Sequence, residues 1–215
     1  MSGIAILAIV LGYGLGSVPV GYLLVRLRTG RDLRRAGSGS TGATNVARLL
    51  GRPGFVAVFA LDGLKGVAAV LLAASLSDAR WAPAGAGIAA TAGHIWPVWL
   101  GLRGGKGLAT AFGACLAFSP VVGVLTLATL AALLPFLRPT LVPLVVAVSL
   151  APAYALLVDR AGTVGVLILA ILILVGHRSN IRAVLSGGAE HGRVSTRWSG
   201  RAAANGIDVT RGRTR

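Results

Sequence analysis

Acidic side chains are scarce in this sequence. Six Asp and Glu stand against 21 Lys and Arg in 215 residues. Carboxylates so few and so scattered cannot build a metal cage, so neither a metal nor an organic cofactor is expected. Cysteine occurs once, as Cys115 inside an apolar stretch. That excludes a disulfide or a cysteine metal site within one chain and points to a buried thiol. Charge of either sign is sparse: 13% of residues, against about 25% in a soluble domain. Hydrophobic residues make up 55%, and the mean hydropathy is +0.80. The class is therefore a membrane protein. On a soluble chain a net charge of +15 would suggest nucleic acid. Here the excess reads as orientation, basic residues holding loops on the cytoplasmic side, and no nucleic-acid partner is expected.

Long polar runs are equally scarce before residue 186. Apolar segments fall at 4–26, 53–76, 81–101, 108–119, 121–137, 141–157 and 162–176. The first lacks a basic leader and exceeds the apolar core of a signal peptide, so it reads as a retained span. Arginines crowd residues 26–52 and the stretch after His177. Both regions belong on the cytoplasmic side, which requires an even number of crossings between them. The reading is an all-α membrane protein of about seven transmembrane helices, N-terminus outside and C-terminus cytoplasmic. The loops at 77–80 and 158–161, with one Arg each, fall outside; Arg103 and Lys106 fall inside. Residues 1–193 form the membrane domain, and 194–215 a basic, disordered cytoplasmic tail.

Three basic segments thus face one compartment. The first, Gly37-Ser38-Gly39-Ser40-Thr41-Gly42-Ala43-Thr44-Asn45 through Arg48, formally satisfies G-x-G-x-x-G. A membrane span and an arginine run precede it, not a strand, so the dinucleotide reading fails. The physics remains: glycines let backbone N–H groups curl around an anion, hydroxyls add donors, and Arg48 offers a fork suited to phosphate. The second, residues 93–110, contains Arg103-Gly104-Gly105-Lys106-Gly107. It lacks the spacing and the Ser or Thr of a nucleotide P-loop but keeps the anion-binding character. The third groups His177, Arg178, Asn180 and Arg182 at the end of the last span. Arg178 and Arg182 equally suit anionic lipid headgroups. Within the second span, Asp62 and Lys65 are three apart and share a helix face. Ionisable groups at that depth face the bundle interior. His94 reads first as a helix–helix hydrogen bond, and Trp96 and Trp99 as interface anchors.

These segments, in this order, resemble the bacterial integral-membrane glycerol-3-phosphate acyltransferases that use acyl-phosphate as donor. The resemblance rests on Gly37-Ser38-Gly39, Gly42 through Asn45 and Arg48; on Asp62, Lys65 and Gly66; on Gly93, His94 and Pro97; on Gly104 through Thr110; and on His177, Arg178, Asn180, Ile181 and Arg182. It spans residues 1–193. Ser40 departs from it, standing where that family usually has Asn. The resemblance implies transfer of a fatty acyl group to the 1-hydroxyl of glycerol 3-phosphate, giving lysophosphatidic acid and inorganic phosphate. This is the first acylation of phospholipid biosynthesis, at the bacterial plasma membrane with the site toward the cytoplasm. It implies catalytic roles for Ser38, Arg48, Lys106, His177 and Asn180. Phosphate binding falls to Gly37, Ser38, Gly39, Ser40, Thr44, Asn45, Gly104, Gly105 and Lys106, with Asp62, Lys65, His94 and Arg182 in support. The partners are the two substrates and membrane lipid.

The residues are consistent with that chemistry. An acyl-phosphate has a good leaving group, so the tasks left are positioning and charge neutralisation. The His-x-x-x-x-Asp pattern of acyl-CoA-dependent enzymes is missing: Trp99, Arg182 and Thr196 follow the three histidines at that spacing. The rival readings are a transporter for phosphorylated metabolites and a lipid-binding scaffold. A transporter calls for anion-binding groups on both faces, whereas the outside loops are nearly bare. A scaffold leaves the glycine loops without a purpose.

Overall fold

Helices account for every regular element among the residues that the computed structural model describes, which are 3–133, 135–136 and 141–185. In chain order they are α1 (Gly3–Ser17), α2 (Val20–Thr29), α3 (Ala43–Leu76), α4 (Ala82–Ile95), α5 (Leu108–Phe118), α6 (Pro120–Leu133), α7 (Leu141–Val158), α8 (Thr163–Gly176) and α9 (Arg178–Leu185). Two stretches, Gly3–Thr29 and Ala43–Leu76, are long and apolar enough to cross a membrane by length and composition. The tail expected at 194–215 lies outside the described residues.

Local chemistry sets the ends of these helices. The first apolar segment is interrupted at Val18 and Pro19, because proline removes a donor and crowds the preceding turn. Gly30 closes α2 in the left-handed conformation (φ 67°), its N–H bonding the Arg26 carbonyl at 2.9 Å. Inside α3, Gly51 leaves helical geometry (φ 67°, ψ −164°) and Pro53 restarts the helix. The apolar segment expected at 53–76 is therefore the second part of α3. The segment expected at 81–101 stops earlier. α4 ends at Ile95, and Pro97 turns Trp96–Leu100 into a loop with one short 3₁₀ turn at Val98–Leu100. The composition of those residues is apolar, but the backbone bonds of Pro97 cannot continue the helix.

Small residues make the helix interfaces. Ala8, Ala73 and Ala86 bury against one another where α1, α3 and α4 meet. A side chain at Gly12 or Gly16 of α1 would strike the backbone of Ala86 or Ala90 of α4. Gly66 and Gly113 bring α3 and α5 into the same backbone contact. Close approach of this kind is how helices associate in lipid, where apolar burial supplies no driving force. A second cluster joins α5, α6, α7 and α8 around Val122, Leu144, Val148, Val166, Leu169 and Ile173. Outside, Leu7, Val10, Leu61, Leu64, Leu71, Leu127, Leu157 and Val164 stand exposed. An apolar exterior around a small-residue interior suits a lipid solvent rather than water.

Candidate active site

The first glycine-rich loop is organised by one side chain. Asn45 lies in the first turn of α3 and is buried. Its Nδ2 donates to the carbonyls of Ala36 (2.9 Å), Ser40 (2.8 Å) and Leu33 (3.3 Å). Its Oδ1 accepts from the Ser38 N–H at 3.1 Å and from Arg48 Nη1 at 3.3 Å. The amide thus pins both limbs of the loop, and its donors are turned inward. Gly37 (φ 54°) and Gly39 (φ 71°) take left-handed conformations that a side chain would strain. A Cβ at Gly37 would also meet Asn45 Oδ1 and the Arg48 guanidinium. Ser38, Thr44 and Arg48 remain exposed, while Ser40 Oγ accepts the Gly42 N–H at 3.3 Å. The hydroxyl at position 40 therefore closes a local turn.

The second loop sits directly against the first. The Thr41 N–H donates to the Gly104 carbonyl at 3.3 Å. Gly104 and Gly105 in turn bond back to Ile95 (3.1 Å) and His94 (3.0 Å) through their N–H groups. Both glycines are required by crowding: a Cβ at Gly104 would overlap the His94 carbonyl, and one at Gly105 would overlap the His94 ring. His94 belongs to a buried group with Asp62 and Lys65. The Lys65 ammonium lies 2.9 Å from Asp62 Oδ1, and His94 Nδ1 lies 3.5 Å from the same oxygen. Lys65 also donates at 3.1 Å to the Val18 carbonyl, which accepts the Val20 N–H as well, at the break between α1 and α2. Three of the four residues expected in support thus tie the end of α1, α3, α4 and the second loop at one point, while Arg182 stands apart on α9.

The third segment closes on the second. A side chain at Gly176 would run into the Lys106 carbonyl, so the end of α8 lies against the loop backbone. His177 is buried there, and its Nδ1 is 2.9 Å from the Ile173 carbonyl. A carbonyl can only accept, so Nδ1 carries the proton and Nε2 keeps its lone pair when the ring is neutral. Burial pushes the imidazole below its ordinary pKa. The Ile173 hydrogen bond opposes that shift and the Lys106 charge adds to it. Asn180 is half-buried on α9, whereas Arg178 and Arg182 are exposed, Arg178 bonding back to the Val175 carbonyl at 3.0 Å.

Composition and motif pattern did not single out Asp32, Arg34 or Tyr22. Asp32 caps the short turn Leu33–Arg35, accepting the Arg34 N–H at 2.9 Å. It also accepts the Arg34 guanidinium on both oxygens, at 3.1 and 2.8 Å. That side-chain hydrogen bonding holds its carboxyl below the usual range. An Asp two residues before an Arg at a turn start was the available signal. Arg34 itself lines a cleft of about 650 Å³, together with Tyr22, Leu23, Trp99 and Leu100 among others. None of the residues expected at the site lines it.

The family model described as "Glycerol-3-phosphate acyltransferase" matches residues 6–187. A glycerol-3-phosphate acyltransferase of Synechococcus sp. (strain CC9902) is 45% identical over 185 residues, covering 85% of this chain and 92% of that one. Glycerol-3-phosphate acyltransferase 1 of Desulfitobacterium hafniense (strain Y51) is 38% identical over 195 residues, covering 89% and 96%. Among solved structures, the glycerol 3-phosphate form of PlsY, an integral membrane glycerol 3-phosphate acyltransferase, superposes with a TM-score of 0.79 at 35% identity. It covers 86% of this chain and 94% of that chain. The lysophosphatidic acid form of PlsY gives 0.77 at 32% identity, with the same coverage.

Proposed function

This chain belongs to the glycerol-3-phosphate acyltransferase family of integral membrane proteins, and from that premise we propose that its acyl donor is an acyl-phosphate. The acceptor is the 1-hydroxyl of sn-glycerol 3-phosphate. An ester bond forms between that oxygen and the acyl carbon, and the acyl carbon–oxygen bond to phosphate breaks. The products are 1-acyl-glycerol 3-phosphate and inorganic phosphate.

The observation that carries this reading is the meeting of three segments: the first loop bonded to the second through Thr41 and Gly104, and the second packed on the end of α8 beside His177. Two anionic substrates call for two anion sites side by side, and acyl transfer between them calls for alignment more than for a nucleophile. In this reading the exposed Ser38 with Gly37, Gly39, Ser40 and Thr44 receives the donor phosphate, assisted by Arg48. Asn45 acts by pinning that loop in shape. Lys106, carried by the turn that Gly104 and Gly105 make possible, neutralises the acceptor phosphate, and Asn180 orients the glycerol. His177 Nε2 takes the hydroxyl proton as the ester bond forms, and the leaving phosphate carries it away. Asp62, Lys65 and His94 keep the second loop in place, and Arg182 meets headgroups at the membrane face. No cofactor takes part. The protein crosses the plasma membrane of a bacterium seven times, N-terminus outside, with the site toward the cytoplasm. That arrangement is supported by the arginine distribution.

The test is turnover by the purified protein in detergent, given acyl-phosphate and glycerol 3-phosphate. Phosphate release and lysolipid formation in equal amounts are expected, with Lys106→Ala nearly inactive while still folded. Turnover with acyl-CoA but none with acyl-phosphate would overturn the donor assignment.

A further inference from the structure

We infer that Arg34 is a positioning residue that sets the separation of the two glycine-rich loops for acyl transfer, an inference that rests on the reading of those loops as donor and acceptor sites. The guanidinium reaches three partners on three parts of the chain. It takes both oxygens of Asp32, at 3.1 and 2.8 Å. It lies 5.3 Å above the centre of the Tyr22 ring on α2. Its Nη1 is 3.5 Å from the carbonyl of Leu100, in the turn that leads into the second loop. The backbone of the same residue underlies the first loop, because a Cβ at Gly39 would stand 3.3 Å from the Arg34 carbonyl. The other tie between the loops is the Thr41–Gly104 bond, at 3.3 Å. One tie thus lies ahead of Gly37 and Gly39 and one behind them, and together they fix a tilt as well as a distance.

Three features favour positioning over the alternatives. The Nε and Nη2 donors of Arg34 are committed to the two Asp32 oxygens, so an anionic ligand seeking that fork would have to displace the carboxylate. The pair is partly exposed, at 34% and 19% for the two side chains, and exposed ion pairs add little to overall stability. Only a planar fork serves a bidentate carboxylate, an aromatic face and a carbonyl at once; an ammonium does not.

The experiment compares wild type, Arg34→Lys, Arg34→Ala and Asp32→Asn in detergent, varying each substrate in turn and recording thermal unfolding. A displacement near 1 Å between reacting groups costs up to about 100-fold in rate. The expected result is a kcat lowered about 100-fold in Arg34→Ala and about 10-fold in Arg34→Lys and Asp32→Asn. The KM for each substrate stays within about twofold, and the unfolding temperature barely moves. Added guanidinium, at concentrations that leave wild type unaffected, restores several-fold of the kcat to Arg34→Ala and none to Arg34→Lys. If Arg34→Ala does not fold, Arg34→Lys and Asp32→Asn, which keep the side-chain volume, carry the comparison. A kcat within twofold of wild type in the folded variants overturns the inference. So does a loss confined to one KM, which would make Arg34 a ligand-binding group. If wild type turns over and the variants match it, only this inference falls. If wild type shows no turnover, the functional reading falls and takes the inference with it.

Discussion

The Asn45 amide directs its donors at the carbonyls of Leu33, Ala36 and Ser40 and offers its oxygen to Ser38 and Arg48. Asn45→Asp keeps the shape and turns both donors into acceptors facing other acceptors. A buried acceptor left without a donor costs about 1–3 kcal/mol, and a charged one costs more. The loop in Asn45→Asp should open, with activity lost and the unfolding temperature lowered, whereas Ser40→Asn should leave both nearly intact. Parallel assays of turnover and thermal stability check the pair. His177 gives a pH expectation. Its folded pKa lies below the ordinary 6.5, so the ring is neutral at pH 7. Acidification through the folded value protonates Nε2 and removes the proposed proton acceptor. kcat/KM should therefore be flat from pH 7 to 8 and fall on the acid side, with a midpoint under 6.5. Stability should fall over the same range, since the unfolded chain takes up that proton first. An acid limb above pH 7 would contradict this. The motif pattern made the identity of such residues legible, but not the division of labour. Nothing in a row of Ser, Thr and Asn says which one turns inward.

At the scale of the element, the apolar segments beginning at 53, 108, 141 and 162 were legible because proline or glycine marks their ends. The stop at Ile95 was not. Trp96 through Leu100 is apolar, and only the geometry of Pro97 decides against a helix. Which helices touch was also hidden, since the contacts depend on glycines whose partners lie far away in sequence. Those contacts give a paired test. Gly113 of α5 faces the backbone of Gly63 on α3, whereas Gly14 of α1 has nothing within 4 Å. Gly113→Leu should force α3 and α5 apart and cost about 1–3 kcal/mol or more by overpacking. Gly14→Leu should leave the yield of folded protein unchanged. Size-exclusion profiles and unfolding temperatures in detergent separate the two; equal behaviour would mean that the α3–α5 contact is not a stability determinant.

For the whole molecule, the orientation proposed from where the arginines stand is open to direct test. Single cysteines placed at Arg35, Asp78 and Arg160 in a Cys115→Ala background read it directly. A membrane-impermeant thiol reagent applied to intact spheroplasts should label positions 78 and 160, and reach position 35 only after permeabilisation. Labelling of position 35 in the intact state would reverse the topology. Parity of basic loops made the convergence of three segments legible before any contact was known. It did not reveal the Arg34 tie or the Lys65–Val18 bond, which depend on side chains reaching backbone carbonyls. The packing of Gly176 on Lys106 also has a consequence in time. Translation delivers both glycine loops early and the His177 wall almost last. A nascent chain halted before Thr163 would hold both glycine-rich loops without the end of α8 that packs on the second. On the proposed function, activity would thus arrive in one step, when α8 docks against the second loop, and termination before it would leave no partly active species behind.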